Sequence, residues 1–446
     1  MLADKTTFNT ELADFLDASP TPFHAVSSMV TMLESTGFTS LQESDHWDLS
    51  VGGKHYVVRN GSSIIAFIVG SEPMVESGIN MVGAHTDSPC LMVKPQPEIN
   101  TQGYFQLGIE VYGGALLNPW FDRDLSIAGR LVYTNADGEL RQTLIDFERP
   151  IATIPSLAIH LDREANSGRS VNPQTDITPI LLQADSNATD TNRDKLDFRE
   201  FLAQRFLGVD ESVVDYDLCF YDTQSAAIIG VEDQFIASAR LDNLLSCFVG
   251  CKAITNSDSE RTCLLVCNDH EEVGSASACG ADGPFLETVC ARLCESQTQP
   301  ADISRVVSQS LMISCDNAHG VHPNFSQKHD SLHLPQLNGG PVIKTNVKQR
   351  YATNSVTSSL FKQLCQQVGV PTQSFVSRND MGCGSTIGPI TAARLGVSTL
   401  DVGIPQLGMH SCRELAGTED PVRLSAVLQT FFNSPVNDIA VVDKES

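Results

Sequence analysis

The stretch 263–274, with the sequence CLLVCNDHEEVG, joins a short apolar run to a cluster of acidic and imidazole side chains. The five residues 263–267 predict a buried β-strand, because a strand that is covered on both faces carries apolar side chains throughout. The polar residues follow directly where that strand would end. Functional groups gather at this edge of open α/β sheets, so the stretch predicts a site at the end of a central strand.

Strand and helix patterns alternate on both sides of this stretch. Strands that alternate with helices indicate a mainly parallel sheet that is covered on both faces, and we therefore predict an α/β fold. The predicted helices lie at 8–16, 25–33, 243–254 and 355–368, and the other predicted strands at 55–59, 63–69, 79–85, 311–315, 373–377 and 397–402.

The sequence pattern changes in the middle of the chain. Short strand candidates, turns such as 135–138 and a polar stretch at 184–199 replace the alternation of strands and helices. A chain of 446 residues also exceeds the roughly 250 to 300 residues that one core organises. We predict a discontinuous α/β domain at 1–91 and 237–446 and an inserted, β-rich domain at 92–236.

The composition is that of an acidic globular protein. The chain has 41% hydrophobic residues and a formal charge of -25, so we expect neither nucleic acid nor a membrane as a partner. The N-terminus lacks the cationic start and apolar stretch of a signal peptide, and the apolar runs are too short to span a membrane. The 13 scattered cysteines fit reduced thiols. We therefore expect a cytoplasmic protein.

Four further polar segments carry candidate metal ligands. AHTDSP at 84–89 and CDNAH at 315–319 follow predicted strands, RLDN at 240–243 opens a predicted helix, and MHSCRE at 409–414 lies near the end of the chain. A single histidine in a loop is more often hydrogen-bonded structure than a ligand. Together, however, the segments supply the nitrogen and oxygen donors of zinc, cobalt and manganese. A two-metal hydrolase also needs a bridging carboxylate and a separate base.

The order of the motifs along the chain points to one family. GAHTDSP, WFDRDL, IPSLAIHL, ARLDN, DHEEVGS, GGPVIKTNVKQRYATN, GCGSTIGP and PQLGMHSCRE resemble the M18 metallopeptidase family, the aspartyl aminopeptidases. The resemblance implies a zinc-peptidase-like catalytic domain with an inserted dimerisation domain. It also implies hydrolysis of the N-terminal residue of peptides, with a preference for Asp or Glu. Leu117 and Ile404 depart from the family pattern, but neither is an implied ligand.

The resemblance implies a pair of metal ions. His85 and Asp316 would hold one ion, Glu272 and His410 the other, and Asp242 would bridge them. Three carboxylates offset most of the combined charge of two divalent cations. Zinc is the expected metal, and cobalt and manganese are alternatives because the same donors suit all three. Capping of the following helix is an alternative or additional role for Asp242.

Two further residues complete the implied catalytic site. Glu271 would be the general base, because neighbouring residues project in different directions and one can face the water that the other's metal ion binds. Asp87 would orient the ring of His85, since residues two apart on extended backbone point to the same side. The alternatives are a solvated acidic loop for the glutamate pair and a turn before Pro89 for Asp87.

The resemblance also places His160, His319 and Lys344 around the peptide substrate. His160 would reach the site of a neighbouring subunit in a closed homo-oligomer, a dodecamer, and a lysine there would pair with an acidic side chain. The alternatives are a half-buried structural His160, a loop hydrogen bond for His319 and a surface position for Lys344. An aminopeptidase of broad or neutral specificity and a non-catalytic assembly protein with the same fold are the alternative functions.

Overall fold

The chain divides into two compact units in a computed structural model that describes residues 3–183, 196–297 and 303–434. Residues 184–195 of the predicted polar stretch therefore lie outside the described residues. Unit 1 comprises Met1–Asp87, Ala226–Met409 and Glu414–Ser446, and unit 2 comprises Ser88–Ser225 and His410–Arg413.

Unit 1 begins with two helices and a group of strands. Both long helices start at a side chain that accepts an N–H of the first turn, Asp4 for the first helix and Thr21 for the second. Such acceptors satisfy amides that have no partner within the helix. The elements are α1 (Lys5–Asp17), α2 (Pro22–Glu34), β1 (Thr39–Ser40), β2 (Lys54–Arg59), β3 (Ser63–Ile68), α3 (Met74–Ser77) and β4 (Ile79–His85).

Unit 2 contains a six-stranded antiparallel sheet. Its elements are β5 (Cys90–Thr101), β6 (Tyr104–Tyr112), β7 (Leu125–Thr134), β8 (Leu140–Asp146), β9 (Ile180–Gln183), α4 (Phe198–Phe206) and β10 (Ser212–Asp222), and the sheet order is β8-β7-β10-β5-β6-β9. The prediction of short strands was wrong in length, since β5 has 12 residues. Its register shifts between Val93 and Glu98, where Pro95 and Pro97 interrupt the pattern that a sequence-based prediction uses.

The remainder of unit 1 resumes the alternation of strands and helices. Its elements are β11 (Ala227–Ile229), β12 (Phe235–Ser238), α5 (Leu241–Thr255), β13 (Thr262–Asn268), α6 (Phe285–Gln297), α7 (Ile303–Ser308), β14 (Leu311–Cys315), β15 (Ala318–His319), β16 (Val342–Thr345), α8 (Ser355–Gln367), β17 (Gln373–Val376), α9 (Ile387–Leu395), β18 (Ser398–Gly403), β19 (Pro405–Leu407), β20 (Glu414–Gly417) and α10 (Asp420–Phe432). None of the described helices is both long enough and apolar enough to cross a membrane.

A nine-stranded sheet forms the centre of unit 1, in the order β1-β2-β3-β13-β4-β14-β18-β16-β17. The four strands β13, β4, β14 and β18 are parallel to their neighbours within that group, and antiparallel pairs flank them. The predicted mainly parallel α/β sheet is thus confirmed. The carboxyl ends of β4 and β13 are aligned, with Asn268 opposite His85. The residues that follow these strands therefore meet at one edge.

Helices cover both faces of this sheet, and each face has its own apolar cluster. One cluster contains Phe8, Phe248 and Phe431 from α1, α5 and α10. The other contains Phe285 and Val289 from α6. Burying one such side chain contributes about 1.5 to 3 kcal/mol, so the two clusters hold the central strands rigidly. A smaller sheet in the order β11-β12-β20-β19-β15 completes unit 1.

All thirteen cysteines lie in described residues, and none of them is in a disulfide. Cys290 and Cys365 belong to the apolar clusters of the two sheet faces. Burial raises the pKa of each of these two thiols to about 12, so neither is a thiolate near neutral pH. They pack as small apolar side chains, as the sequence predicts.

Asp420 is a buried acid at the start of α10 that fixes a loop. Its carboxylate accepts the N–H groups of Asn338 at 2.6 Å and Gly340 at 2.8 Å. Burial raises the pKa of Asp420 to about 6, although these hydrogen bonds oppose the shift. The carboxyl group of Asp420 titrates at about 3.9 in the unfolded chain, so folding favours its protonated form. Its contribution to the free energy of unfolding therefore falls as the pH rises from about 3.9 to about 6.

Asp420→Asn is therefore expected to lower the free energy of unfolding by about 1 to 3 kcal/mol, because an amide presents only one acceptor to two buried N–H groups. The loss should be larger near pH 5 than near pH 7 by about 1 kcal/mol, since only wild type keeps the extra proton at the lower pH. Urea unfolding at both pH values measures this, with the exposed Asp258→Asn as control. An equal loss at both pH values would contradict the pKa assignment.

Candidate metal and substrate site

His85 ends β4 and lies inside unit 1, with 1% of its surface exposed. Its Nδ1 lies 3.0 Å from the backbone carbonyl oxygen of Asp87 and 3.3 Å from the carboxylate of that residue. Its Nε2 lies 3.4 Å from Oδ1 of Asp242. Burial lowers the pKa of the ring, but hydrogen bonds to Asp242 and Asp87 outweigh burial and raise the pKa. The ring is thus held between two carboxylates.

Asp242 lies in an irregular first turn of α5. Arg240 precedes α5 with a left-handed backbone, and the regular part of this helix begins only after a kink at Asp242 and Asn243, so the capping role of Asp242 stays a prediction. Asp242 and Asn243 have non-helical backbone angles, and the peptide bond between them is cis. The amide of Asp242 donates to Oε2 of Glu414 at 2.9 Å. This turn directs a carboxylate, only 3% exposed, towards His85.

Glu271 and Glu272 lie in a tight turn that follows β13 after Asp269 and His270. Both amides donate to the carboxylate of Asp87, at 3.1 Å from Glu271 and 3.0 Å from Glu272. Asp87 is 1% exposed, and this carboxylate also contacts the ring of His85. The two glutamates are half-buried, which does not fit a fully solvated acidic loop. Asp87 therefore links the ends of two neighbouring strands.

His85, Asp242 and Glu272 form a group whose ligand atoms all lie within 4.8 Å of one another. Zinc holds imidazole and carboxylate at about 2.0 to 2.2 Å, so two such donors on one tetrahedral ion lie roughly 3.4 Å apart. The 3.4 Å separation of Nε2 and Oδ1 fits that geometry. The nitrogen and oxygen donors also suit zinc chemically.

The charges around this group favour a cation. Burial, together with nearby carboxylates such as Asp316, raises the pKa of Glu271 to about 7, although His85 opposes the shift. Burial likewise raises the pKa of Asp316 to about 6, although Lys344 opposes the shift. A divalent cation would stabilise the ionised forms of these acids. The residues present therefore fit a metal site.

Lys344 is buried next to Asp316. It is 3% exposed, so the surface position considered for it is wrong. Its Nζ lies 3.6 Å from Oδ1 of Asp316 and donates to the carbonyl oxygen of Asn317 at 2.9 Å. The same ammonium lies 5.3 Å from the centre of the Tyr351 ring. Lys344 thus lies between the implied ligand Asp316 and Tyr351, an aromatic residue that lines a pocket.

A pocket of about 300 Å³ opens in unit 1. Tyr351 and Phe375 form an aromatic part of its wall, and the ring of His319 meets that of Phe375 edge-on at 5.7 Å. No Asp or Glu is among the described residues that line it, although the chain has 54 of them. Cationic or ionisable bases line it instead: His319, His322, Lys328, His329 and Arg378.

Two of the implied site residues belong to unit 2. Nδ1 of His410 lies 3.0 Å from the carbonyl oxygen of Gly114. His160 lies in an exposed turn, so the half-buried structural role considered for it is wrong. Its neighbours Ile159 and Leu161 are 44% and 76% exposed. In contrast, His85, Asp87, Asp242, Glu271, Glu272 and Asp316 all lie in unit 1.

A buried polar network that sequence reasoning missed supports Asp242. Glu414 is 2% exposed and accepts both the amide of Asp242 and, at 3.3 Å, the side chain of Gln406. The amide nitrogen of Asn317 donates to Gln406 and to the carbonyl oxygen of Leu241, both at 2.8 Å. Glu414 lies in the MHSCRE motif, but no sequence pattern shows that this acid is buried.

Comparison with known proteins identifies the family. The family model described as aminopeptidase I zinc metalloprotease (M18) matches residues 15–432. The chain belongs to the M18 aminopeptidase family. The resemblance found in the motifs is thereby confirmed, and with it metal-dependent aminopeptidase activity.

Individual M18 relatives match over nearly their whole length. A probable M18 family aminopeptidase 2 of Ectopseudomonas mendocina (strain ymp) is 58% identical over 429 residues, which cover 95% of this chain and 97% of the relative. Among solved structures, a chain in the cryo-EM structure of the Ape4 and Nbr1 complex has a TM-score of 0.94 at 38% identity, covering 99% of this chain and 88% of that one. The S. cerevisiae mApe1 dodecamer has a TM-score of 0.82 at 30% identity, covering 95% of each chain. These two solved M18 structures therefore have the same fold as this chain over nearly its whole length.

Proposed function

We propose that this chain is a binuclear zinc aminopeptidase that removes N-terminal Asp or Glu from peptides. The observation that carries the two-metal proposal is the group of buried His85 and Asp242 with half-buried Glu272, and Glu271 and Asp316 lie close enough to interact electrostatically. One divalent ion does not need so many carboxylates in one place. Two ions would balance their charge and leave positions for water and substrate.

Each residue of this group has a proposed role. His85 and Asp316 would hold one ion, Glu272 and His410 the other, and Asp242 would bridge them. Bound zinc would lower the pKa of a water molecule and polarise the carbonyl group of the first peptide bond. Glu271 would accept a proton from the attacking water and pass it to the leaving amine. Asp87 would fix the His85 ring and the backbone of the glutamate turn.

The basic pocket supports the proposed preference for acidic residues. His319, His322 and Lys328 line it in a protein whose overall charge is -25. A carboxylate side chain would be attracted there more strongly than a neutral or cationic one. The contact of Lys344 with both Asp316 and Tyr351 connects the pocket to the proposed metal ligands. Lys344 would therefore assist substrate binding through charge rather than as a lining residue.

We also propose a closed homo-oligomer, a dodecamer like that of S. cerevisiae mApe1. The exposed turn of His160 is flanked by the apolar side chains Ile159 and Leu161, which a subunit interface would cover. His160 would then reach the substrate of the adjoining subunit. Size measurement in solution tests this, because a fully active monomer would exclude a required donation between subunits.

Chelation and reconstitution test the proposed activity. The purified chain would be stripped of metal, refilled with zinc, cobalt or manganese, and assayed on peptides that begin with Asp, Glu, Leu or Lys. We expect chelation to abolish hydrolysis, about two equivalents of metal per chain to restore it, and Asp or Glu to be the preferred first residue. Equal rates on all four peptides would show broad specificity. An inactive chain that holds no metal would indicate a non-catalytic assembly protein.

Lys328→Gln is expected to lower kcat/KM for Asp and Glu peptides by about fivefold, because it removes one exposed charge from the pocket. Hydrolysis of the Leu peptide should change little. Lys362→Gln, the same change at an exposed position on α8, serves as the control and should leave all substrates unaffected. An equal loss on acidic and neutral peptides would show that Lys328 does not recognise the acidic side chain.

A further inference from the structure

A second group of metal-binding side chains lies next to the glutamate turn. It consists of Asp269, His270 and Cys279, one carboxylate, one imidazole and one thiol, whose ligand atoms all lie within 4.8 Å of one another. Asp269 and Cys279 are 4% and 5% exposed, whereas the His270 ring is half-buried. The imidazole therefore connects a buried carboxylate and thiol to solvent.

The spacing of these donors suits a tetrahedral ion. Sγ of Cys279 lies 3.7 Å from Nδ1 of His270. The Asp269 carboxylate contacts Nε2, the other ring nitrogen, at 3.4 Å, so its part in a shared ion rests on the 4.8 Å limit within which one ligand atom of each residue lies. Zinc binds thiolate sulfur at about 2.3 Å and imidazole nitrogen at about 2.0 to 2.1 Å, so two such donors on one ion lie roughly 3.5 Å apart. The sulfur and nitrogen thus already have nearly the separation that a shared ion requires.

The surroundings of Cys279 differ from those of the packed cysteines. Cys290 and Cys365 belong to apolar clusters, whereas Cys279 contacts the polar side chains of His270 and Ser277. Oγ of Ser277 lies 3.7 Å from Sγ and 2.8 Å from Nδ1 of the ring. A thiol beside an imidazole and a hydroxyl is placed for polar chemistry rather than for packing.

Backbone hydrogen bonds hold the loop that carries these donors. The carbonyl oxygen of Cys279 accepts the side-chain amide of Asn268 at 2.9 Å and the hydroxyl of Ser63 at 3.0 Å. The amide of Ser275 donates to the carbonyl oxygen of His270 at 2.7 Å. The backbone at both ends of the loop is therefore fixed, and binding an ion would order little more than side chains.

We propose that Asp269, His270 and Cys279 form a further metal site, which binds a divalent cation that accepts thiolate, such as Zn²⁺, Co²⁺ or Cd²⁺. It is separate from the proposed catalytic ligands, which supply only nitrogen and oxygen. Its ligands Asp269 and His270 directly precede Glu271, so occupancy would fix the start of the catalytic turn. The site does not require that the catalytic ions be bound.

Cobalt titration of the full-length chain, first stripped of metal, tests this site. Co²⁺ bound to thiolate absorbs in the near ultraviolet through charge transfer from sulfur, and Co²⁺ bound only by nitrogen and oxygen lacks that band. We expect the band in wild type and its loss in Cys279→Ser. Cys290→Ser, which changes an equally buried thiol in α6, is the matched control and should keep the band.

Asp269→Asn provides a variant that keeps the sulfur. It should raise the Co²⁺ concentration that gives half of the maximal near-ultraviolet absorbance by roughly tenfold or more, because loss of a supporting group weakens metal binding by at least that factor. Circular dichroism and the melting temperature verify that each variant folds. A wild-type spectrum without the band, or a band that persists in Cys279→Ser, would overturn the proposal. Peptide hydrolysis by the zinc-loaded chain reports the catalytic ions separately, so failure of the binuclear site would be recognised independently.

Discussion

Glu271→Gln should reduce kcat by roughly 10²- to 10⁴-fold, the usual contribution of a positioned general base. Glutamine has nearly the same shape as glutamate but cannot take a proton from water. The amide of residue 271 would still donate to Asp87, so the turn should keep its conformation. Metal content should therefore stay near that of wild type. Steady-state kinetics combined with metal analysis of the purified variant measures both quantities.

The neighbouring residue provides the comparison for that experiment. Glu272→Gln changes the same functional group one position later, but its ligand atom lies in the group with His85 and Asp242. We expect this variant to lose metal as well as activity. Full activity in Glu271→Gln would remove Glu271 from the mechanism. If Glu271→Gln lost metal and Glu272→Gln kept it, Glu271 would be the metal ligand and Glu272 the general base.

Asp242→Ala should have the second large effect, because it removes the proposed bridge between the ions. Changes in residues that merely orient a ligand already cost about 10- to 100-fold in metal affinity, so loss of a shared ligand should exceed roughly 100-fold. Activity should fall with metal content. Equilibrium dialysis against zinc, followed by analysis of the bound metal, gives the affinity directly.

The control for this variant is Asp48→Ala, which removes an exposed carboxylate of unit 1. It should bind metal and hydrolyse peptides as wild type does. Because Asp242 is buried, circular dichroism must show that Asp242→Ala remains folded. If the folded variant kept both ions with wild-type affinity, Asp242 would not be a ligand.

The α/β fold was predictable because its central strands are strongly apolar. The predicted strands at 63–69, 79–85 and 311–315 correspond to β3, β4 and β14 within one residue, since a fully buried strand is a continuous apolar run. Helix α10 was not predicted, although its buried face includes Phe431 and Phe432. Its buried residues Val427, Leu428, Phe431 and Phe432 follow helical spacing, so the sequence did carry this signal.

The candidate ligands were also predictable, because His85 and Asp316 directly follow or end apolar strands. The burial of Glu414 and Lys344 was not, since charged side chains are normally exposed and their partners lie far away in the sequence. The basic pocket likewise combines residues from separate loops, such as Lys328 and Arg378. Only the folded chain brings such residues together.

The carboxylate of Asp87 makes the two halves of the proposed site mechanically dependent. It contacts the His85 ring on one side and holds the amides of Glu271 and Glu272 on the other. Any displacement of this single group would move a metal ligand and the proton acceptor together. Variants of Asp87 are therefore expected to change metal affinity and proton transfer together. A variant designed to change only one of these two properties would have to keep Asp87.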